Sequence, residues 1–588
     1  MGPAVSSYEN ILALIDAGMN VARLNFSHGT HEAHKKTIDN LKKARKEKRI
    51  PLGIMLDTKG PEIRVGVLEK ERSFAAGDSL LLVREEAKDP AHLPICPGIA
   101  LDPLKVGDRV LFDDGYIVSE VLETTDEGVL VEILNPGVIK SQKGVNMPHV
   151  DVPLPAMTEQ DVRDIRFGCE QDVDFIAASF IRSSTHVREI KSLLHELGKP
   201  EIKIIAKIEN STGVENFDGI VQMADAIMVA RGDLGVELPI EEVPVLQKMM
   251  IRKCVQASKP CVTATQMLES MMNNPRPTRA EASDVANAIY DSTSAVMLSG
   301  ETAVGKYPIE TVKLMKSIVE AAEADFPFEE FFYRDSRIGS HDISSSIAMA
   351  SVKTAYSSEA KAIFALTSSG STANLISRYR PRMPIIALTP YEKTYHQLAF
   401  NWGVYPVEPQ DTHSAGEALK LTSEFARKHD LVQFGDLIVL TAGTTFGMTG
   451  TTNMMMVESI GEVLVRGDSS KGEAIEGVIS HILALDAYAQ TMAKGKIVVI
   501  SKYDESFYPI LEKAKAIILQ NLPEDEESEK LVLQLAKDLG IPALVRADEA
   551  LRRTQNGQVV TLDPVQGTVY RKLAPSGEEI PGISDPSD

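Results

Sequence analysis

At 588 residues the chain is too long for one hydrophobic core, and its length predicts about four domains. Its composition, 43% hydrophobic and 25% charged, excludes a disordered or fibrous protein. The net charge of −21, without a long basic run, disfavours nucleic acid as a partner. No apolar run approaches the roughly 20 residues that span a bilayer. Four scattered cysteines without CxxC spacing are typical of thiols in a reducing compartment, so we predict a cytoplasmic protein.

Short apolar runs alternate with amphipathic stretches from residue 10 to about residue 330. The runs are MNVARLNF (19–26), IPLGIMLDT (50–58), VDFIAASFI (173–181), IKIIAKIE (202–209), AIMVARGD (226–233), PCVTATQM (260–267) and AVMLSG (295–300). Continuous runs of this kind are typical of parallel strands that helices cover on both faces. This many strand–helix units predict an α/β fold built on a closed parallel (β/α)8 barrel, whose active site lies at the carboxyl ends of the strands.

Further domains interrupt and follow the predicted barrel, which comprises residues 1–60 and 150–335. Residues 61–149 carry turn signals such as FDDG and TDEG and predict a small all-β insertion after Asp57. A second α/β unit is predicted over 336–462, with the strands IFALTSS, PIIALT and LIVLTAG. Another module is predicted over 463–575, with the strands GKIVVIS, AIILQN, IPALVR and VVTLD, and residues 576–588 form a tail.

Three charged residues lie at the ends of two neighbouring predicted strands. Glu209 and Asp233 each end an apolar run, so their carboxylates can converge on a divalent cation such as Mg²⁺. Lys207 alternates with Glu209 and points to the same side of its strand. A lysine beside a metal suits the charge of a transferring phosphoryl group. A buried salt-bridge network that holds the barrel together explains the same spacing equally well.

The segments RLNFSHG (23–29) and LDTKGPEIR (56–64) place polar groups at two more strand ends. Their short oxygen ligands suit a monovalent or divalent cation, and Arg23 suits a phosphate or carboxylate. Thr265, in ATQMLESM (264–271), ends another strand and is expected to precede an amphipathic helix. Its hydroxyl suits a substrate carboxylate or a proton relay, or it caps that helix.

Eight motifs of this chain resemble those of the pyruvate kinase family in order and spacing. They are RLNFSHG, LDTKGPEIR, KGVNMP, KIEN, VARGDLG, ATQMLESM, RPTRAEASDVANA and MLSGETA, within a match over about residues 2–460. The resemblance implies a barrel, an inserted small β-barrel domain and a C-terminal α/β domain. It implies phosphoryl transfer between phosphoenolpyruvate and ADP or ATP, with Mg²⁺ or Mn²⁺ and K⁺ as cofactors. It also implies a homotetramer.

The resemblance assigns roles at the substrate side of the site. Glu209 and Asp233 resemble the divalent-metal ligands, and Lys207 resembles the residue that stabilises the phosphoryl group. Arg23 is similar to the phosphate-binding arginine, and Thr265 to the threonine implicated in protonating the enolate. The backbone from Ala230 through Arg231 and Gly232 to Asp233, at a helix start, would hold the substrate carboxylate. Glu301 and Ser299 resemble residues that act behind the metal ligands rather than on the metal.

Other residues of the resemblance concern potassium, nucleotide and effector. The potassium site would comprise Asn25, Ser27, Asp57 and Thr58, and nucleotide contacts would come from Asn25, His28, Arg64 and Lys143. A Glu in the PEIR motif goes with potassium dependence in this family, so Glu62 predicts that this chain needs potassium. A sugar-phosphate or nucleotide effector would bind the hydroxyl-rich loop before a helix, completed by the loop 441–453. The loop residues are Thr367, Ser368, Ser369, Gly370, Ser371 and Thr372; a plain helix-capping loop explains them too.

Two departures from the family pattern affect the ends of the chain. Family members precede the GPA segment with a strand of the type KIVCTIGPAS, so the first barrel strand is expected to be missing here. Residues 463–573 resemble the swivelling phosphohistidine domain of phosphoenolpyruvate-utilising enzymes. The Thr-Ser-His triplet of the phosphocarrier is replaced by Glu529, Lys530 and Leu531, and His481 lies in a different segment. We therefore predict a structural or regulatory module.

Two other functions fit parts of the pattern. A pyruvate or phosphoenolpyruvate aldolase-type barrel also holds magnesium through two carboxylates, but it needs neither the inserted domain nor the PEIR and SGETA strings. A non-catalytic paralogue that senses sugar phosphates is motivated by the missing strand, and the intact catalytic positions argue against it.

Overall fold

The computed structural model describes residues 1–84, 92–337, 342–412, 414–443, 452–469, 472–485 and 488–571. The chain divides into two compact units. One unit comprises residues 1–349, 365–413 and 442–453, and the other comprises residues 350–364, 414–441 and 454–588. The finer division into the six segments named above stays a prediction. No helix in the described ranges is long and apolar enough to cross a membrane.

The first barrel segment alternates helix and strand. Its elements are α1 (Tyr8–Ala17), β1 (Val21–Asn25), α2 (His31–Lys48) and β2 (Gly53–Asp57). Ser7 begins α1, because its hydroxyl accepts a hydrogen bond from the Asn10 N–H. Every residue of β2 is buried, as expected for a strand between two layers of helices. The two strands pair in parallel, and this pairing places Asn25 directly beside Asp57.

The insertion after β2 is all β, as predicted. Its strands are β3 (Arg64–Val65), β4 (Arg72–Phe74), β5 (Ser79–Arg84), β6 (His92–Cys96), β7 (Arg109–Phe112), β8 (Ile117–Thr124), β9 (Val129–Ile133), β10 (Gly137–Ile139) and β11 (Val145–Asn146). A short 3-10 helix spans Gly98–Leu101. Seven of the strands form one sheet in the order β11-β7-β8-β9-β5-β6-β3 around a separate hydrophobic core that includes Phe112, Val131 and Ile133.

The second barrel segment begins at α3, where Thr158 and Asp161 form a reciprocal capping box. Its helices are α3 (Glu159–Glu170), α4 (Ser184–Glu196), α5 (Ser211–Glu215), α6 (Phe217–Met223), α7 (Arg231–Glu237), α8 (Val243–Gln256), α9 (Arg279–Tyr290), α10 (Gly300–Ala303), α11 (Pro308–Ala324) and α12 (Phe328–Asp335). Its strands are β12 (Phe175–Ala178), β13 (Lys203–Ile208), β14 (Ala226–Ala230), β15 (Cys261–Ala264) and β16 (Ala295–Val296).

The described barrel sheet has seven parallel strands in the order β1-β2-β12-β13-β14-β15-β16, with β1 and β16 at its edges. These are the seven strands predicted from the apolar runs. The prediction of an amphipathic helix directly after Thr265 is wrong. Thr265 and Gln266 both have positive φ angles, and the chain continues through a 3-10 helix, Glu269–Met272, before α9.

The following α/β unit contains α13 (Ile343–Ser357), β17 (Ala362–Leu366), α14 (Ser371–Ser377), β18 (Ile385–Leu388), α15 (Glu392–Gln397), β19 (Val404–Val407), α16 (Ala415–Lys428), β20 (Leu437–Gly443) and β21 (Thr452–Ser459). Its sheet has the order β19-β18-β17-β20-β21. The three predicted strands are present, and β19 and β21 are additional. The predicted effector loop leads into α14, whose first two residues are Ser371 and Thr372 of that loop.

The last module contains an eight-stranded sheet in the order β22-β29-β28-β24-β25-β26-β27-β23. Its elements are β22 (Glu462–Arg466), β23 (Asp468–Ser469), β24 (Ile475–His481), α17 (Ala489–Ala493), β25 (Ile497–Ile500), α18 (Tyr508–Leu511), β26 (Ala516–Leu519), α19 (Glu526–Leu539), β27 (Ala543–Val545), α20 (Ala550–Arg553), β28 (Val559–Asp563) and β29 (Thr568–Arg571). Glu529, Lys530 and Leu531 lie on α19, where Glu529 pairs with Arg546 at 2.8 Å. The predicted tail 576–588 lies outside the described residues.

A buried histidine in α15 gives the fold a pH-dependent component. His396 is 4% exposed, and its Nδ1 accepts a hydrogen bond from the Leu52 N–H. Burial, with added repulsion from Arg45 and Lys393, lowers the pKa of His396 to about 3. The exposed carboxylate of Glu392 lies 3.6 Å from its Nε2.

We therefore expect acid to destabilise the fold through His396. The unfolded histidine takes up a proton below about pH 6.5, while the folded one stays neutral, so stability is full above that pH and falls towards pH 3. The loss is roughly 1 kcal/mol per pH unit. Urea-unfolding midpoints at pH 7, 6 and 5 should converge between wild type and His396→Gln as the pH falls. The same substitution at exposed His195 serves as control, and parallel pH profiles of wild type and His396→Gln would contradict the expectation.

Candidate active site

A buried carboxylate, that of Glu209, and a half-buried one, that of Asp233, lie at the ends of β13 and β14. Glu209 directly follows β13, and Asp233 lies in the first turn of α7, which begins directly after β14. Glu209 is 2% exposed. Burial, together with the charge of Glu209, raises the pKa of Asp233 to about 7. The two carboxylates therefore repel each other, which fits a site for a cation between them.

The donor set suits a hard divalent cation that keeps other oxygen ligands. No cluster of three or more His, Cys, Asp or Glu side chains is placed to hold a metal in the described ranges. Magnesium is typically bound through one or two carboxylates, with the remaining positions taken by water and substrate phosphate. The pair Glu209 and Asp233 fits that pattern.

Lys207 is held beside this carboxylate pair by three side chains. Its Nζ lies 2.9 Å from Glu209 Oε1 and 3.1 Å from Asp57 Oδ1, and it donates to Ser179 Oγ at 2.7 Å. Burial by itself lowers the pKa of Lys207, but the charges of Asp57 and Glu209 outweigh it and raise the pKa above its usual value. The ammonium group is thus positively charged, oriented and largely withdrawn from water.

Arg23 reaches the same place from β1. Its Nε donates to Asp57 Oδ2, and its side chain is 18% exposed. Burial acts to raise the pKa of Asp57, but the neighbouring Arg23 and Lys207 hold it below its usual value. Asp57 is therefore an ionised carboxylate shared by the two cations, and it orients both.

The four predicted potassium ligands lie at the ends of β1 and β2. Asn25 pairs with Asp57 in the sheet, and Asn25 Oδ1 accepts a hydrogen bond from the Ser27 N–H. The Thr58 hydroxyl accepts from the Ser179 N–H, and the Thr58 carbonyl accepts from the Ser179 hydroxyl. The structure thus brings the four residues to neighbouring strand ends. The negative charge of the set comes from Asp57, which suits a monovalent ion better than a divalent one.

Thr265 is fixed by its contacts with the start of α7. Its hydroxyl accepts a hydrogen bond from the Gly232 N–H at 2.8 Å and donates to the Ala264 carbonyl. The Arg231 side chain donates to the carbonyls of Ala264 and Thr265 and pairs with Asp284. The Arg231 side chain therefore braces the Thr265 loop, so a substrate contact of Arg231 would have to come from its backbone.

Glu301 supports the same loop from behind. It is 3% exposed, and its two oxygens accept hydrogen bonds from the N–H groups of Leu268 and Ser299. Both carboxylate oxygens are occupied by backbone N–H groups. The role of Glu301 and Ser299 behind the metal ligands stays a prediction.

The predicted nucleotide contacts lie in two regions, with Asn25 and His28 at the end of β1 and Arg64 and Lys143 in the inserted domain. Arg64 donates to Glu62 Oε2 and to the Gln142 carbonyl, and Lys143 pairs with Asp113 at 2.7 Å. The backbone of Arg64 pairs with that of Gly144, so Arg64 and Lys143 lie close together in space. His28 lies in the turn after β1 and its carbonyl contacts the His34 ring.

The predicted effector loop has its hydroxyls near a helix start. Gly370 precedes α14 with a φ angle of 85°, which glycine adopts readily. The Ser369 hydroxyl contacts the Ser371 hydroxyl, and Thr372 Oγ1 lies 2.7 Å from Thr452 Oγ1. The rest of the loop expected to complete this pocket, 444–451, lies outside the described residues.

Two residues of the site, Ser179 and Phe180, were not predicted from the sequence. Ser179 follows β12 and connects Lys207 Nζ to the Thr58 carbonyl with two bonds of 2.7 Å. Phe180 has a φ angle of 55°, and its N–H donates to Glu209 Oε2 at 2.5 Å. The signal available in the sequence was that Ser179, like Glu209, is the first polar residue after an apolar strand.

Comparisons with known proteins agree with this geometry. Residues 1–312 match the pyruvate kinase barrel domain, residues 345–458 the pyruvate kinase alpha/beta domain, and residues 492–567 the mobile domain of PEP-utilising enzymes. A pyruvate kinase of Staphylococcus epidermidis is 42% identical over 586 residues, with 98% of each chain covered. One of Geobacillus stearothermophilus is 43% identical over 575 residues, with 97% of each covered.

The solved structures include a similar fold. A crystal structure of a pyruvate kinase from Cryptosporidium parvum has a TM-score of 0.75 and 38% identity, covering 78% of this chain and 94% of that one. The matches extend through the barrel, the α/β domain and the additional module, and they include the strands that carry Lys207, Glu209 and Asp233. The chain belongs to the pyruvate kinase family.

Proposed function

We propose that this phosphotransferase moves the phosphoryl group of phosphoenolpyruvate to ADP, giving pyruvate and ATP. The observation that supports it most is the charged cluster at the strand ends. There Lys207 lies against Asp57, Glu209 and Ser179, next to a third carboxylate, that of the half-buried Asp233. The aldolase-type interpretation has no support from the relatives, and the sensor interpretation leaves this cluster unexplained.

In the proposed reaction the bond between phosphorus and the enol oxygen breaks, and a bond to an oxygen of the ADP β-phosphate forms. Arg23 binds the phosphate, and Lys207 neutralises charge on the phosphoryl group as it transfers. Glu209 and Asp233 would hold Mg²⁺ or Mn²⁺, which when bound supplies charge neutralisation for the substrate oxygens. Lys207 and Glu209 are buried, and their removal from water strengthens their electrostatic interactions.

The enolate left behind must take a proton on carbon to become pyruvate. The Thr265 hydroxyl is held by the Gly232 N–H and donates its proton to the Ala264 carbonyl. To protonate the enolate it would turn away from that carbonyl, release the proton to the carbon and take a new proton from water. The start of α7 would hold the substrate carboxylate through its backbone. Because the Gly232 N–H already binds Thr265, other N–H groups of this turn would contact the carboxylate.

Pyruvate formation coupled to NADH oxidation by lactate dehydrogenase tests the function. With phosphoenolpyruvate, ADP, Mg²⁺ and K⁺ we expect turnover that disappears when ADP is omitted. A folded protein that forms no pyruvate under these conditions would refute the proposal. The cytoplasmic location, the homotetramer and the effector at Thr367–Thr372 stay predictions.

We expect the reaction to need potassium. The Glu62 carboxylate is paired with Arg64, so position 62 adds no positive charge to the site. Replacing KCl by NaCl or choline chloride at equal ionic strength should lower the rate at least about tenfold, equal to about 1.4 kcal/mol of transition-state stabilisation. A full rate in choline chloride would be incompatible with this expectation.

Ser179 is expected to position Lys207. Ser179→Ala removes a hydrogen bond to a charged group, worth about 1.5–3 kcal/mol, so kcat should fall roughly 10- to 100-fold. KM for phosphoenolpyruvate should change little, because Arg23 and Asp57 remain, and Ser179→Thr should restore part of kcat. Exposed Ser192→Ala is the control. Equal kcat for the Ser179 and Ser192 variants would show that Lys207 does not need this contact.

A further inference from the structure

A second polar site lies at the opposite end of the barrel from the catalytic cluster. One wall comes from the chain that precedes β15 and β16, through Ser258, Lys259 and Ser294. The other wall comes from α14 and the residues after it, through Asn374, Arg378 and Arg380. Thr265 ends β15 at the catalytic rim, whereas this cavity lies where β15 begins. The cavity is therefore separate from the active site.

Three cations line the cavity, and no carboxylate does. The lining residues are Val255, Ser258, Lys259, Pro260, Ser294, Asn374, Ser377, Arg378, Arg380 and Asn401. Arg378 is 5% exposed and Arg380 3% exposed. Within the described ranges neither forms a salt bridge, and Asp335, the nearest acidic influence on Arg380, pairs instead with Arg334. Buried charge without a counter-charge is costly, and such groups are normally paired.

The arginines keep donor groups without partners. Arg380 donates to Ser377, Ser292 and Ser294 through its two terminal nitrogens, but its Nε has no partner. Arg378 makes one hydrogen bond, to Ser258 Oγ at 3.3 Å, and its Nε also lacks a partner. The guanidinium faces lie over the rings of Tyr379 and Trp402, which leaves the N–H edges for other contacts.

Asn374 and Lys259 add two further groups to the cavity. Asn374 Oδ1 is buried without a partner, and rotation of the amide would present its NH₂ group instead. Lys259 donates to the Ala224 carbonyl, and burial lowers its pKa. The cavity thus offers an excess of donors and of positive charge.

We propose that this cavity binds one small monovalent inorganic anion, of the size of chloride. The cavity volume is about 10 Å³, which is room for a single water-sized species. The anion would offset one of the positive charges of Arg378 and Arg380 and accept the unpaired Nε–H groups. It would thereby connect the end of α14 to the floor of the barrel.

Bromide, a heavier analogue of chloride, gives a direct test. In crystals soaked in sodium bromide we expect an anomalous peak within hydrogen-bonding distance of Arg378 or Arg380 Nε. No peak there, while bromide is found elsewhere on the same molecule, would overturn the proposal.

Thermal unfolding at constant ionic strength gives a second test, with sodium gluconate replacing sodium chloride because gluconate is too large for the cavity. Wild type should melt about 2 °C or more higher in chloride, because a ligand that binds the folded state stabilises it. Arg378→Gln should lose this difference, and the exposed neighbour Arg382→Gln should keep it.

A charge-complementing variant keeps the test valid if Arg378→Gln folds poorly. Asn374→Asp places a carboxylate beside the two arginines, so its melting temperature in gluconate should rise to the wild-type value in chloride. Its response to chloride should vanish. A wild-type response to chloride in Asn374→Asp, or an equal response in all variants, would mean that chloride acts elsewhere and would refute the site.

Discussion

Lys207→Met is expected to lower kcat for pyruvate formation by about 10³-fold, the scale of losing one cation that stabilises a phosphoryl transition state. Methionine keeps roughly the volume of lysine but removes the charge that Asp57 and Glu209 hold in place. The interaction with the transferring group is strongest in the transition state, so the effect on kcat should exceed the effect on KM. Steady-state rates with the lactate dehydrogenase assay measure both.

Lys203→Met is the matched control for this variant. Lys203 begins the same strand, β13, and lies about 13 Å away along it at 3.3 Å per residue. It should therefore keep near wild-type kcat. Since Lys207→Met leaves two buried carboxylates with less counter-charge, its far-ultraviolet circular dichroism must match wild type. A folded Lys207→Met enzyme with the kcat of Lys203→Met would exclude Lys207 from the reaction.

Asp233→Asn is expected to weaken divalent-metal binding and to lower kcat by about 10²-fold or more, since charge neutralisation at the phosphoryl group is lost. Asparagine keeps the shape of the side chain and leaves Glu209 as the remaining carboxylate of the pair. Binding of Mn²⁺, followed by electron paramagnetic resonance, reads the metal affinity without requiring turnover.

The outcome depends on whether Asp233 acts through the metal. Asp218→Asn, an exposed aspartate of the same barrel, should leave Mn²⁺ affinity and kcat unchanged. Unchanged Mn²⁺ affinity in Asp233→Asn would remove Asp233 from the metal ligands, whatever happens to kcat. Loss of affinity with a normal kcat at saturating Mn²⁺ would limit its role to binding.

The barrel strands were predictable because each is a continuous apolar run between polar loops. β19 was not predicted because it contains a proline. Its sequence, VYPV, contains Pro406, which argues against a central strand but is tolerated at an edge, and β19 lies at the edge of its sheet. A local pattern cannot show which strand will be an edge strand.

The wrongly predicted helix after Thr265 has a physical explanation. Met267, Leu268 and Met271 are spaced as on one face of a helix, and all three are fully buried. The segment is not an α-helix, and the Leu268 N–H donates its hydrogen bond to the carboxylate of Glu301 instead of to a helical carbonyl. The positive φ angles of Thr265 and Gln266 aim the threonine hydroxyl at α7. Tertiary contacts over more than thirty residues thus override the local periodicity.

Candidate site residues could be predicted from the sequence where their residue type is rare beside an apolar strand, and could not be predicted where that residue type is common. Lys207, Glu209 and Asp233 are charged residues next to apolar runs, so their position indicated either a metal site or a buried salt-bridge network, and the resemblance to the family favoured the metal site. Ser179 lies inside the run VDFIAASFI (173–181), which was predicted as one strand, so the sequence did not identify it as a residue at the strand end. Its importance comes from two hydrogen bonds to residues more than twenty-five positions away, which the sequence does not display.

Asp57 has a consequence for how ligands influence one another. It contacts both Arg23 and Lys207 and pairs with Asn25 in the sheet. A cation held beside Asn25 would compete for the same carboxylate that orients Arg23, the residue proposed to bind phosphate. Because coupling free energies between two bound ligands are reciprocal, whatever that cation does to phosphoenolpyruvate affinity, phosphoenolpyruvate must do to the affinity for the cation. A monovalent cation bound there and the substrate would thus be thermodynamically linked through one buried side chain.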